Sequence, residues 1–458
     1  MGPVQGMGLA LVMAPEMVKG EQMTDDKVLA VCLYGERIGL LEQTLTGKMR
    51  FTYTPESARL LSIGLPVQAE PYDEVRTEAY FGGLLPESEM ARKAIGKRYG
   101  VNHHNSFSLL KAIGYDCAGA VSLHSMEERI QPESIKSFPL EGSLLSEQEL
   151  YQHIRELPKK PLFLGTEGLR LSLAGVQDKA AVCLIDHQVA LPQNGCPTTH
   201  ILKPVIQGFD GMVHNEYLCL RLAARIGLDV PHVEIRWAQD VPYLLIERYD
   251  RIIQDDQVHR LHQEDFCQAL GIVSSRKYQS DGGPDFKSCF DLLYNNTTQP
   301  VKDRNALAAL MVFNYLIGNM DAHGKNFSLL HRPMRGPAMG MLPGQTHAED
   351  FIELTPVYDV ACTRAYQDLA DKMAMKIGGY YEPDKVLPRH WERQCKEMGY
   401  SYPALRNALH QQALSILDAV QDERNQLIEA NLFHSIVDEM TRFFERHIGK
   451  TLEKFKNG

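Results

Sequence analysis

The chain has 458 residues, too many for one small core, so two or three domains are expected. Its 44% hydrophobic and 23% charged residues are ordinary for a soluble globular protein; the formal net charge of −10 argues against a broad basic surface that binds nucleic acid unaided and leaves room for a local basic patch. The nine cysteines, an odd number with no C-x-x-C pair, read as buried free thiols in a reducing compartment and not as zinc ligands.

Residues 1–25 hold a short apolar patch without a positive n-region, and they read as a disordered extension, not a signal peptide. No apolar run approaches the roughly 18–20 residues of a membrane helix. A cytoplasmic protein with no membrane association is expected. KVLAVCLY (27–34) reads as a strand, followed by a turn at Gly35-Glu36, the short strand RIGLL and a third strand at FTYTP (51–55). FGGLLPESEMARKAIGKRYGV (81–101) turns helical, with Pro86 and Glu87 as its start and Gly100 as its stop. SFSLLKAIGYDCAGAVSL (106–123) is expected to be a helix ending near Gly114, then a strand.

The prolines and charges of 126–160 mark a connection, partly helical. LRLSLAGVQDKAAVCLID (169–186) reads as strand, small-residue loop, strand, and THILKPV (199–205) as another strand. NEYLCLRLAARIGL (215–228) has Leu218, Leu222 and Ile226 at helical spacing. VEIRWA and YLLIERYD (233–250) form a hairpin pattern. Beyond residue 262 the pattern is mostly helical, with a strongly apolar helix at 305–319, short strands at FSLL (327–330) and LTPVYDV (354–360), and charged helices from 383 to 456. Four segments follow: the extension 1–25, a first α+β unit with its connection over 26–160, nucleotide-lobe elements over 161–250, and a helical lobe over 251–458.

In that order the parts are those of a protein-kinase-like phosphotransferase: loop between strands, strand with a lysine, helix with a glutamate, hairpin ending in an acid, then a helical half with two further acids. Asp321 and Asn326 stand in D-A-H-G-K-N, with four residues between them. That spacing lets one loop place an acid against an attacking hydroxyl and an amide oxygen against a metal on the phosphate side. Alone, the same spacing describes a capped turn after a buried helix. Asp359 ends LTPVYD, 33 residues after Asn326, where a Mg²⁺-binding carboxylate would sit; it also fits a strand-terminal turn. Lys203, on an apolar strand, is costly to bury without an anion, with ATP phosphates and Glu216 as candidate partners and snorkelling to water as the alternative. The loop SLAGVQDK (172–179) can cradle phosphates with backbone N–H groups, with Lys179 adding charge and Ser172 an accessible hydroxyl. IERYD (246–250) would be the hinge, with Glu247 and Tyr249 offering backbone to adenine and Asp250 accepting from ribose. His323 and Lys325 are counted with the nucleotide site, although a hydrogen bond inside the loop and a solvated lysine account for them equally.

Together LSLAGVQDKAAV, HILKP, NEYLCLRLAARIGLDVP, LLIERYDR, LHQEDFCQALG, NMDAHGKNFSLL and LTPVYDVA resemble the HipA family of serine/threonine kinase toxins, and FGGLLPESEMARK with SFSLLKAIGYDCAGAV resembles its N-terminal domain. S-x-A-G-x-Q-x-K and D-x-H-x-K-N are the most specific parts. The resemblance spans roughly 27–445. It implies an α+β, bilobal protein-kinase-like fold that uses ATP and Mg²⁺. Asp321 would be the catalytic base, and Asn326 and Asp359 would hold the metal. Lys203 would bind phosphates, covered by Ala174, Gly175, Val176, Gln177, Asp178 and Lys179. Glu247, Tyr249 and Asp250 would meet the nucleoside, and Ser172 would be autophosphorylated, switching the kinase off. The implied partners are a helix-turn-helix antitoxin dimer, operator DNA reached through the complex, and a protein substrate in translation of the aminoacyl-tRNA synthetase type. Residues 253–260 and 332–352 are variable loops to which no substrate contacts carry over.

Overall fold

A computed structural model describes residues 27–55, 57, 59–127, 137–157, 175, 177–333, 350–367 and 369–456. The expected extension 1–25, and Ser172, Ala174 and Val176, lie outside the described residues.

The first unit is a four-stranded antiparallel sheet, order β3-β2-β1-β4, of β1 (Val28–Leu33), β2 (Glu36–Gln43), β3 (Met49–Tyr53) and β4 (Val121–Ser125). The first hairpin turns on Tyr34 and Gly35, both with positive φ, one residue earlier than expected. Three helices cover the sheet: α1 (Glu74–Phe81), α2 (Glu89–Tyr99) and α3 (Ser106–Ile113). Their N-caps are Asp73, Ser88 and Asn105, each accepting a backbone N–H of the first turn. The expected helix start at Pro86 and Glu87 is therefore two residues early, and α1, ahead of it, was not expected. Phe51, Tyr80, Phe81, Phe107 and Leu110 fill the space between sheet and helices.

The stretch expected to be a connection contributes structure of its own. It forms β5 (Phe138–Pro139), β6 (Gly142–Leu144) and α4 (Glu147–Glu156), the last opened by a Ser146–Glu149 capping box. Strand β6 joins β7 (Ala180–Ile185), β8 (Gln188–Pro192), β9 (His200–Pro204), β10 (Val233–Ala238) and β11 (Val241–Glu247) in an antiparallel sheet ordered β10-β11-β9-β7-β8-β6. A boundary at 160 thus cuts through the nucleotide-lobe sheet. The missing signal is long-range: β6 is three residues long and, among the described residues, pairs with β8 across the sheet.

One face of this sheet packs on α4 through Leu202, Tyr243 and Leu245 against Leu150 and Ile154. The other face, with Ile235, Leu244 and Ile246, packs on helix α5 (Met212–Arg225) through Leu218 and Leu222. Period-two alternation decides which residue goes where. Leu202 pairs with Leu245 on the α4 side, so Lys203, paired with Leu244, faces α5.

The remaining strands are short. β12 (Arg251–Gln254) and β13 (Gln257–Arg260) form a three-stranded sheet with β5. β14 (His262–Asp265), β15 (Ser328–Arg332) and β16 (Phe351–Leu354) form another, with α6 (Phe266–Ala269), α7 (Phe286–Asn296) and α8 (Pro300–Ile317) between its first two strands. Helices α9 (Pro388–Met398), α10 (Tyr402–Glu429) and α11 (Ile436–Lys456) complete the lobe. Helices α5, α7, α8, α10 and α11 share one core with the buried Trp391. The fold is α+β and protein-kinase-like, with two lobes and the first sheet unit docked across them. All nine cysteines are buried free thiols. Among the described residues no helix is long and apolar enough to cross a membrane.

Candidate active site

A cavity of about 560 Å³ lies between the six-stranded sheet and the helical lobe, within the usual size for a small-ligand site. Every described residue expected at the site lines it: the loop residues Gly175, Gln177, Asp178 and Lys179; Lys203; the hinge residues Glu247, Tyr249 and Asp250; and Asp321, His323, Lys325, Asn326 and Asp359.

On the sheet side, Lys203 Nζ donates to Glu216 Oε1 at 2.6 Å and to Asp359 Oδ1 at 2.7 Å. Burial works against the charged amine, but Asp359 and Glu216 outweigh it and hold the lysine charged. Lys203, with Lys179 behind it, holds the Asp359 carboxyl well below the usual carboxylate range, against the effect of burial. Glu216 lies in the second turn of α5, since the helix begins at Met212; a favourable helix start does not account for it. Lys179 is brought down to about 8 by burial and by Lys203. Gly175 has φ +109°, and a Cβ there would stand 2.6 Å from Lys179 Nζ. That backbone conformation favours glycine, and it brings the loop beside the ammonium.

The catalytic-loop candidates follow from how α8 ends. Gly318 closes the helix in the left-handed conformation, its N–H returning to Asn314 and Tyr315. Asn319 then pins the next turn: its Nδ2 donates to Asn314 Oδ1, and its Oδ1 accepts the Asp321 N–H at 3.1 Å. Asn326 Nδ2 donates to the Asp321 carbonyl at 3.0 Å, which closes the D-x-x-x-x-N loop on itself. The Asp321 side chain is exposed, and Tyr278 donates its hydroxyl to Oδ1 at 2.7 Å.

Asp359 departs from expectation. β16 ends at Leu354, so the acid is not at a strand end; it stands in an irregular turn at φ +57°, unusual for a residue with a Cβ. Neighbours hold that turn in place. The Tyr358 hydroxyl donates to the Lys325 carbonyl at 2.7 Å, and the Asn215 amide exchanges hydrogen bonds with both the N–H and the carbonyl of Cys362.

Three expectations change. Asp250 is no ribose acceptor: its carboxylate already accepts from Gly119, Gln263, Arg248 and Arg251 and is 3% exposed. Burial opposes its ionisation, and the two arginines overcome that and hold it well below the usual range. The Glu247 N–H is taken by the His232 carbonyl, while the Tyr249 N–H has no partner among the described residues. Lys325 is not solvated. It is buried against the Gly83 carbonyl, Ser274 Oγ and the Glu87 carboxylate. His323 is buried and pushed down to about 4, so it is neutral at physiological pH.

Sequence reasoning missed Glu87, Asn215, Lys277, Tyr278 and Asn319. Of these only Asn319, two residues before Asp321, had a local signal.

Comparison with known proteins identifies the family. The HipA-like C-terminal domain family matches residues 171–426, and the HipA N-terminal domain family matches 29–124. The chain belongs to the HipA family. A protein of Sinorhizobium fredii carrying the provisional name kinase Y4mE is 41% identical over 403 residues, which is 86% of this chain and 91% of that protein. The serine/threonine-protein kinase toxin HipA of Shewanella oneidensis is 31% identical over 323 residues, 66% of this chain and 67% of that one. Among solved structures, the Shewanella oneidensis complex of HipA, HipB and its operator DNA matches with a TM-score of 0.75 at 26% identity. The match covers 92% of this chain and 97% of the matched chain. Membership of the family settles the protein-kinase-like fold.

Proposed function

We propose that this protein is an ATP- and Mg²⁺-dependent protein serine/threonine kinase acting as the toxin of a toxin–antitoxin pair. One observation carries the reading: the Lys203 ammonium is clasped between Glu216 and Asp359 on the wall of the cavity that Asp321 and Asn326 also line. A buried lysine held this way by two acids is a ready phosphate ligand, since a nucleotide can replace one acid without leaving the cation unpaired.

The donor set fits the group. Asp359 and the Asn326 Oδ1, which accepts no bond from the described residues, are the hard oxygen ligands Mg²⁺ takes. Gly175 brings the loop backbone close to the Lys179 ammonium, and backbone N–H groups and an ammonium together suit a phosphate. Bound there, Mg·ATP would supply the phosphoryl group and the cation that offsets its developing charge. Tyr278 occupies Asp321 Oδ1 and leaves Oδ2 to orient the attacking hydroxyl and take its proton. Lys203 and Lys179 hold the phosphate chain, and the free Tyr249 N–H meets the nucleobase edge.

The regulatory half of the reading rests on kinship. Ser172, at the head of the phosphate loop, is the autophosphorylation site, and a dianion there repels ATP. The partners are a HipB-like helix-turn-helix antitoxin dimer and, through it, operator DNA; the Shewanella relative was solved with both. A net charge of −10 suits a protein whose partner supplies the DNA contacts. The substrate is a component of translation of the aminoacyl-tRNA synthetase type, and the protein works in the cytoplasm.

The test is incubation of the purified protein with Mg²⁺ and γ-labelled ATP, wild type beside Asp321→Asn, read by intact mass and phosphopeptide mapping. Label on Ser172 in the wild type alone is expected. No label in a wild type that carries no phosphate as isolated overturns the kinase reading. Label passed to metabolites and not to protein overturns the protein-substrate part.

A further inference from the structure

The first sheet unit contributes several residues to the wall of the candidate active site, and one of them, Glu87, touches both of its loops. Beyond α1 the chain runs extended through Pro86 and Glu87, and Pro86 bridges Gly175 of the phosphate loop in parallel. The Glu87 N–H donates to the Gly175 carbonyl at 3.1 Å. Its carboxylate turns the other way. Oε2 accepts from Lys277 Nζ at 2.7 Å, and Oε1 pairs with Lys325 Nζ at 3.1 Å. Both lysines belong to the catalytic-loop assembly. Lys325 lies within D-A-H-G-K-N itself, and the Lys277 carbonyl accepts the Gly324 N–H at 3.1 Å. The residue after Lys277 is Tyr278, whose hydroxyl holds Asp321.

Glu87 thus touches the phosphate loop with its backbone and the catalytic loop with its side chain, and it lines the cavity between them. Its carboxyl is held below the usual range by Lys325 and Lys277, against burial, so it carries charge at neutral pH. A fastening between the first unit and the lobes does not need it. Asp116 with Arg251 and Arg260, and Ser62 with Glu264, already join those parts away from the cavity. Buried ion pairs are poor stabilisers, which makes geometry the better account of this one.

We propose that Glu87 is a positioning residue for phosphotransfer, the element through which the N-terminal domain sets the spacing between phosphate loop and catalytic loop. It touches neither nucleotide nor hydroxyl; it acts through Lys277, Lys325 and Gly175. The inference rests on the kinase reading above and deepens it. The HipA N-terminal domain becomes part of the catalytic unit, and whatever draws it away from the lobes slows the reaction.

The test uses the full chain, freed of phosphate, as wild type, Glu87→Gln and Glu87→Asp. The initial rate of label incorporation is measured against ATP concentration, and hydrogen exchange is followed in peptides covering 175–182 and 319–327. For Glu87→Gln the maximal rate falls about 100-fold, the cost of an ångström-scale misplacement, while half-saturation by ATP moves by about threefold or less. Exchange at 319–327 speeds up. Glu87→Asp keeps the charge on a shorter arm and recovers part of the loss, to about tenfold below wild type. A maximal rate equal to or above wild type in Glu87→Gln overturns the proposal. So does a loss that only tracks the fraction unfolded by thermal melting. Should Glu87→Gln fail to fold, Glu87→Asp decides, and an undiminished rate there overturns it. A wild type that transfers no label removes the kinase reading alone; the exchange comparison still judges the clip, and unchanged exchange refutes it.

Discussion

Two buried charge clusters in this molecule use the same chemistry for different ends. In one, Asp250 and Asp116 are enclosed by Arg248, Arg251 and Arg260. In the other, Asp359 and Glu216 enclose Lys203. The first is shut: the Asp250 side chain is 3% exposed, its charged partners are arginines in planar contacts, and Gly119 and Gln263 donate to it as well. The second is open on one side: Asp359 is 43% exposed at a strained backbone position, and its partner is a lysine that Glu216 also holds. A saturated cluster can only hold parts together. A cluster with a spare acid facing a cavity can exchange that acid for a ligand. Depressed acidity, common to Asp250 and Asp359, does not separate the two; access and partner redundancy do.

Substitutions sharpen that contrast. The largest effect belongs to the chemistry beside the open cluster. Asp321→Asn cuts phosphotransfer by about 10²–10⁴-fold while nucleotide affinity, read by calorimetry, stays within about threefold. Unchanged turnover removes Asp321 as the base. Next comes the closed cluster. Asp250→Ala leaves two buried arginines short of an anion and destabilises the fold by about 3–5 kcal/mol, seen in chemical denaturation. An Asp250→Ala protein as stable as wild type, with weakened nucleotide binding, would restore the ribose role.

Asp359→Asn behaves in the opposite way. Glu216 still pairs Lys203, so stability changes by about 1 kcal/mol or less, but Mg²⁺-dependent nucleotide affinity drops by at least the about 10–100-fold that loss of an outer-shell partner costs a metal site. The smallest effect is a pH trend. Lys179 is brought down to about 8 in the free protein, so it is charged below that pH and neutral above it. Anionic nucleotide favours the charged form. Affinity is therefore full below pH 8 and falls by up to about tenfold per pH unit above it, and Lys179→Met flattens the curve.

What could be read from the sequence was what local spacing encodes. D-x-x-x-x-N is one closed loop, so its two ends could be paired from the sequence, and HILKP was legible as an apolar strand carrying Lys203. Asp359 was found by its distance from Asn326, yet its backbone was not; the turn is imposed by Tyr358 and Asn215 reaching partners 33 and 147 residues away. Asp250 was misread for the same reason: its neighbours Arg248 and Arg251 were visible, but the Gly119 N–H and Asp116 that complete the cluster come from the first unit. Proline at 86 signals a helix start, but Ser88 makes the cap, because the Pro86–Glu87 backbone is taken by Gly175 across the site.

The central claim, that the open cluster is a Mg·nucleotide site and the closed one a fastening, is tested most directly by calorimetric titration of a non-hydrolysable ATP analogue, with and without Mg²⁺, into wild type and Asp359→Asn. The account predicts one site per chain in the wild type, strengthened by Mg²⁺, and loss of that strengthening in Asp359→Asn with the fold intact. Absence of binding in the wild type, or an equal response to Mg²⁺ in the variant, would contradict it.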